Sequence, residues 1–189
     1  MGFASIALLA GLLAVASVFD VREGRIPNWL TFGGVGLALF LSLAASLTRW
    51  GSGDDLGSTW LTALTFPEAL WGLTVTGALP LMLYIAASGG AGDVKLAWAM
   101  GALLGWRDGC LAVLVAYVVA GCAGLIWLIL TGRITALIAV TLRGLGHWLL
   151  PGRVAPPAAA DAAAVNRKMG MAPYLAAGTA LLVWERLPR

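Results

Sequence analysis

Charge is scarce in this chain. Asp, Glu, Lys and Arg make up 11% of its 189 residues, where a soluble domain carries about 25%. With 60% hydrophobic residues and a mean hydropathy of +0.90, the composition rules against a soluble domain. It describes an all-α polytopic membrane protein whose core forms between helices and lipid. A basic surface is missing too. The formal charge is +3, but the bases are scattered, with no Lys/Arg run and no basic helix face, which argues against nucleic acid as a partner. There is one histidine, His147, and only two cysteines, Cys110 and Cys122. A helix would separate those cysteines by about 18 Å, beyond disulfide distance. No CxxC pair exists, so a cysteine zinc site is excluded and no metal or other cofactor is expected.

What the chain does have is long apolar runs. A spanning helix needs about 20 mostly apolar residues, fewer where flanking groups snorkel. Six segments qualify: 3–19, 29–48, 71–87, 94–106, 110–130 and 171–185. The fourth and sixth are short and are expected either to lean on neighbouring helices or to be partly re-entrant. The first run lacks the basic n-region of a signal peptide and has further spans after it, so it reads as a retained helix. Trp29, Trp50, Trp71, Trp106, Trp127 and Trp184 fall at or near these boundaries, where indoles favour the membrane interface. No internal repeat is evident, which argues mildly against an inverted-repeat transporter.

Lys and Arg set the expected orientation. The loops 20–28, 88–95 and 132–170 hold eight of them: Arg22, Arg25, Lys95, Arg133, Arg143, Arg153, Arg167 and Lys168. The opposite side keeps four, Arg49, Arg107, Arg186 and Arg189. The first set is therefore expected in the cytoplasm, with the N-terminus outside. Segment 134–150 carries Arg143 and His147 and reads as an interfacial amphipathic helix rather than a seventh span. It sits in a cytoplasmic loop, 132–170, whose remainder is Pro/Ala-rich and flexible by composition. His147 has no partner for ligation or catalysis nearby in sequence and reads as an interfacial polar residue.

Ionisable groups at membrane depth are costly and are functional candidates by default. Of nine Asp and Glu, seven read as solvated: Asp54, Asp55, Glu68, Asp108 and Glu185 in outer loops or termini, Glu23 and Asp161 in cytoplasmic loops. Asp20 and Asp93 remain, on the same expected side and at similar depth. Two carboxylates close together in a low dielectric share one proton. The ionised one can take a proton from water while the other donates to a peptide carbonyl, with no metal or nucleophilic side chain. Gly90 and Gly92 precede Asp93 in SGGAGDVK, where they permit unusual backbone geometry and close approach. A random GxGD is expected roughly 0.1 times in a chain of this composition, and a plain helix-capping turn explains it alone. Lys95 likewise reads by itself as a snorkelling anchor. In FDVREGRIPNWLTF, Pro27 reads as a helix-start residue and Asn28 as a cap.

D-x5-IPN at the first helix–helix loop, followed about seventy residues later by GxGDxK, resembles the type IV prepilin peptidases, the GxGD-type aspartyl proteases of the bacterial inner membrane. A third piece, RKMGMAPYLAAG at 167–178, is similar to the segment that opens the family's last helix. The resemblance runs from about residue 10 to 180. It implies Asp20 and Asp93 as the catalytic pair, with Gly90, Gly92 and Lys95 completing the second motif and Pro27 and Asn28 the first. It also implies removal of a basic leader from prepilins, with the substrate's apolar helix in the adjacent bilayer. Long members carry an N-terminal domain with two CxxC pairs and also N-methylate their product. This chain shows no such cysteines and resembles the short members serving tight-adherence (Flp-type) pili, so peptidase activity alone is expected, from a single domain over 1–189. The alternatives are a presenilin-like GxGD protease and a small transporter using Asp20 and Asp93 as a cation or proton site.

Overall fold

The computed structural model describes residues 2–52, 64–87, 90–150, 155–156 and 171–186, and for 51, 52, 87, 185 and 186 the backbone alone. Asp54, Asp55, Arg153, Asp161, Arg167 and Lys168 lie outside the described residues. Every regular element among those described is helical: α1 Phe3–Glu23, α2 Asn28–Ser52, α3 Phe66–Ala87, α4 Ala91–Leu130, α5 Ile134–Leu149 and α6 Ala172–Arg186. Four of them, α1 to α4, are long and apolar enough to cross a bilayer. The protein is an all-α polytopic membrane protein. Its chain forms two compact units, 1–117 with 170–189, and 118–169.

Helix α4 is two helical arms, as the two expected spans 94–106 and 110–130 require, but they meet at a corner with no loop between them. Gly105 breaks it, with φ 81° and ψ 173°, a region closed to residues with a Cβ. Two arms leave that corner. Gly101 and Gly109 lie four residues to either side, and a Cβ added at Gly109 would sit 3.2 Å from the Gly101 Cα. The arms therefore fold back on each other as a helical hairpin. The first arm rises only about 20 Å, short of the about 30 Å of the hydrocarbon core. It is enclosed by protein instead: Leu96, Ala97, Ala99 and Met100 are wholly buried, and Val94, Ala102, Leu103 and Leu104 nearly so.

Small residues make this enclosure possible, because helices in lipid associate by close van der Waals approach. Helix α3 crosses the hairpin with Gly72 against the Gly101 carbonyl and the Gly105 backbone. Gly77 accommodates the Trp98 indole, and Gly34 of α2 faces Leu12 of α1. On α6, a Cβ at Gly178 would lie 2.6 Å from the Ala112 carbonyl oxygen and 3.0 Å from the Ala116 nitrogen, so α6 packs along the second arm. In α1 the buried residues are Ser5, Leu9, Leu12, Leu13 and Ala16, a stripe at helical spacing. Outward-facing residues stay apolar, among them Val18, Phe40, Met82, Leu114 and Leu181, as a lipid-facing surface requires. The Ser5, Ser17, Ser42, Ser46 and Thr179 hydroxyls donate to carbonyls of their own chain segments. Both cysteines are free thiols.

Helix ends account for the other boundary shifts. The sequence treats Glu68 as a solvated loop acid, yet its carboxylate accepts from the Thr65 N–H at 2.8 Å and the Thr65 hydroxyl at 2.9 Å. That one-sided cap, both bonds running to Glu68, starts α3 at Phe66, five residues before the expected 71. Asp108 lies within the α4 hairpin rather than in a loop. In α1 the helix runs one turn past Asp20 and stops at Gly24, whose φ of 63° lets its N–H donate to the Asp20 carbonyl at 3.0 Å. Helix α5 is the most amphipathic of the six and buries no residue. Its stripe of Ile138, Leu142, Leu145 and Leu149 is exposed.

Candidate active site

Asp20 sits one turn from the end of α1. Its carboxylate accepts a hydrogen bond from the Ala172 N–H at 2.9 Å. Ala172 opens α6, so that N–H is one of the first-turn donors with no partner inside the helix. Asp20 satisfies it, and a negative group there is also favoured by the helix dipole. One hydrogen bond thus joins residues from opposite ends of the chain. The PY segment is the place of that junction, with Pro173 in the first turn of α6 and its first residues packed on the core.

Asp93 occupies the first turn of α4, and its N–H donates to the Gly90 carbonyl at 3.1 Å. A Cβ at Gly90 would lie 2.8 Å from Asp93 Oδ2, so the carboxylate folds back over the glycine that precedes it. Gly92 rests on Ile26, which a Cβ would meet at 3.3 Å. The turn carrying Asp93 therefore lies flat on the loop between α1 and α2, the loop that begins one turn after Asp20. Asp20 and Asp93 are both half-buried, and the contact of Gly92 with Ile26 brings the turn of one to the loop that follows the other.

Lys95 is held across the same junction. Its ammonium donates to Asn28 Oδ1 at 2.7 Å and lies 5.1 Å from the centre of the Phe32 ring. Asn28 is the first residue of α2 rather than the residue before it. Its side chain does not cap its own helix; the oxygen is taken by Lys95. The Pro27 carbonyl accepts from the Leu30 and Thr31 N–H groups at 3.2 and 3.4 Å and starts α2. The two sequence motifs thus pack together, Gly92 on Ile26 and Lys95 on Asn28. Among the described residues no three His, Cys, Asp or Glu side chains form a group able to hold a metal ion.

The model of the type IV leader peptidase family matches residues 7–140. The chain belongs to that family. No curated protein and no solved structure matches it. As a leader peptidase, the chain is a hydrolase of peptide bonds embedded in a membrane by several helices. The matched region contains both acids, the first-loop motif and the whole α4 hairpin. It stops before α6, whose first N–H holds Asp20.

Sequence reasoning missed three contributors to this site, Ile26 under Gly92, Phe32 beside Lys95 and the Ala172 N–H on Asp20, and it passed over Tyr117. Tyr117 lies on the second arm of α4, half-buried against the core. A signal for it exists in the sequence. The glycines at 101, 105 and 109 in GALLGWRDG mark a hairpin centred on 105, and Asp93 and Tyr117 are twelve residues to either side of that centre.

Proposed function

We propose that this chain is an intramembrane-type aspartyl endopeptidase that removes the basic leader from Flp-type prepilins at the cytoplasmic face of the bacterial inner membrane. Asp20 and Asp93 activate the water. The observation that carries the reading is the junction of the two acid-bearing motifs, Gly92 on Ile26 and Lys95 on Asn28, in a chain of the leader peptidase family. One carboxylate is ionised and takes a proton from water as the oxygen attacks the scissile carbonyl carbon. The other gives its proton to the carbonyl oxygen, leaving a neutral diol. As the diol collapses and the C–N bond breaks, the nitrogen takes the proton held by the carboxyl group that received the water's, and the other carboxylate takes back a proton from a diol hydroxyl. Serine chemistry has little support, since the serines named above spend their hydroxyls on backbone carbonyls.

The substrate's peptide bond must be unwound to be attacked. The turn at Gly90–Gly92 offers a backbone segment beside Asp93 with which an extended leader junction can pair. Ile26 under Gly92 and the bond from Lys95 to Asn28 hold that turn. The charge bias of the sequence supports a cytoplasmic location for Asp20 and Asp93, and the amphipathic, unburied helix α5 supports an interfacial element.

The test is cleavage by the purified protein in lipid. A Flp-type prepilin should lose its leader, detected as a mass difference, and Asp20→Asn and Asp93→Asn should each abolish the loss while the protein remains folded. Ion flux without cleavage would replace the reading with a transporter. In a cysteine-free background, single cysteines at 24 and 160 should label from the cytoplasm and one at 54 from outside. The reverse pattern separates the site from prepilin leaders.

A further inference from the structure

The peptidase reading leaves Tyr117, half-buried against the core, without a role. Asp93 stands on the first arm of the α4 hairpin and Tyr117 on the second. The arms meet at Gly105 and are in contact at Gly101 and Gly109, residues whose numbers are symmetric about the corner. Continuing the same antiparallel register brings Tyr117 back to the level of Asp93. Helix α6 gives an independent register. Gly178 lies against Ala112 and Ala116, so, antiparallel to the second arm, α6 brings Leu175 to the level of Tyr117. Ala172, which holds Asp20, is then one turn away. Tyr117 and the first turn of α6, through Met171 and Tyr174, pack against the same core cluster.

The geometry points to the Tyr117 hydroxyl as a third polar group of the Asp20–Asp93 centre, donating a hydrogen bond to the scissile carbonyl oxygen of the substrate. The inference rests on the peptidase reading. In apolar surroundings a neutral donor aimed at an oxygen that gains negative charge stabilises the transition state more than the ground state. A phenol suits that task because it keeps its proton near neutral pH, so it adds no third charge to a site that already holds two carboxyl groups. No bond to Tyr117 forms or breaks, and its proton stays on its oxygen throughout.

Tyr117→Phe keeps the ring and its packing and removes only the hydroxyl. Against a Flp-type prepilin in lipid, this variant should lower kcat about 100-fold and leave KM within about twofold. Its thermal unfolding should match the wild type. It should also weaken binding of a peptide with a hydroxyethylene group in place of the scissile bond more than binding of the cleaved leader. Tyr84→Phe, on an exposed part of α3, serves as the control and should cleave normally. An unchanged kcat in Tyr117→Phe overturns the inference and leaves the Asp20–Asp93 mechanism standing, and a loss of kcat matched by lost stability also overturns it. Absence of cleavage by the wild type overturns both.

Discussion

The Lys95 ammonium donates to the Asn28 amide oxygen at 2.7 Å, across 67 residues of chain, while lying over the Phe32 ring. The bond fastens the start of α4 to the start of α2. Lys95 is two residues past Asp93, so the bond is a strut for that carboxylate. Lys95→Met should lower kcat by about 10-fold to 100-fold, since small displacements of a reacting group are costly, with KM little changed. Lys95→Arg should recover part of the loss. A double-mutant cycle with Asn28→Ala, followed by thermal unfolding in detergent, should give a coupling of about 1 kcal/mol.

The proposed mechanism gives Asp20 a second duty besides its bond to the Ala172 N–H, and two substitutions divide them. Asp20→Asn retains an oxygen able to accept from the Ala172 N–H, so the proposed mechanism predicts a folded protein of near-normal stability without cleavage. Asp20→Ala leaves that N–H without its partner and should cost a further 1–3 kcal/mol or about that much. Unfolding midpoints measured side by side with prepilin cleavage check both. Equal stabilities would mean that water replaces the lost acceptor.

Gly90 is tested most simply by a single methyl group. A Cβ there would lie 2.8 Å from Asp93 Oδ2 and 3.3 Å from its Cγ, so Gly90→Ala must turn the carboxylate away. The position is exposed, and stability should change by less than about 1 kcal/mol. Cleavage should fall at least about 10-fold. A variant that cleaves normally would show that Asp93 works in another orientation.

Two positive-φ glycines should respond very differently to alanine. Gly24, at φ 63°, has nothing within 4 Å of its absent Cβ, so Gly24→Ala should cost about 1 kcal/mol of left-handed strain. Gly105, at φ 81° and ψ 173°, lies in a region essentially reserved for glycine, with Leu64 3.1 Å from its absent Cβ. Gly105→Ala should cost about 3 kcal/mol and disturb both arms of the hairpin. Thermal unfolding and cleavage should fall together there, and neither should fall far in Gly24→Ala.

Membrane character was plain in the residues, because apolar runs set against a charge content of 11% leave few other solutions. Both acids stood out for the same reason, and the enclosure of the short first arm was foreshadowed by its length. The Gly105 corner was less legible. GALLGWRDG reads as the end of one span and the start of another, and only the positive φ joins them into one hairpin. Glu68 was passed over as a loop acid although T-F-P-E carries the pattern of a helix cap. Contacts between distant segments were beyond sequence reasoning. Lys95 bonds to Asn28, and Asp20 to the Ala172 N–H, through geometry that no local spacing encodes.

The bond between Asp20 and Ala172 also orders events in time. A ribosome makes Asp20 among the first residues of the chain and Ala172 more than 150 residues later, so the carboxylate waits through nearly all of synthesis for its donor. Until the last described helix enters the bilayer, Asp20 lacks the partner that orients it. A nascent chain halted before residue 172 would therefore hold both acids and the complete α4 hairpin, with its first acid still unmoored.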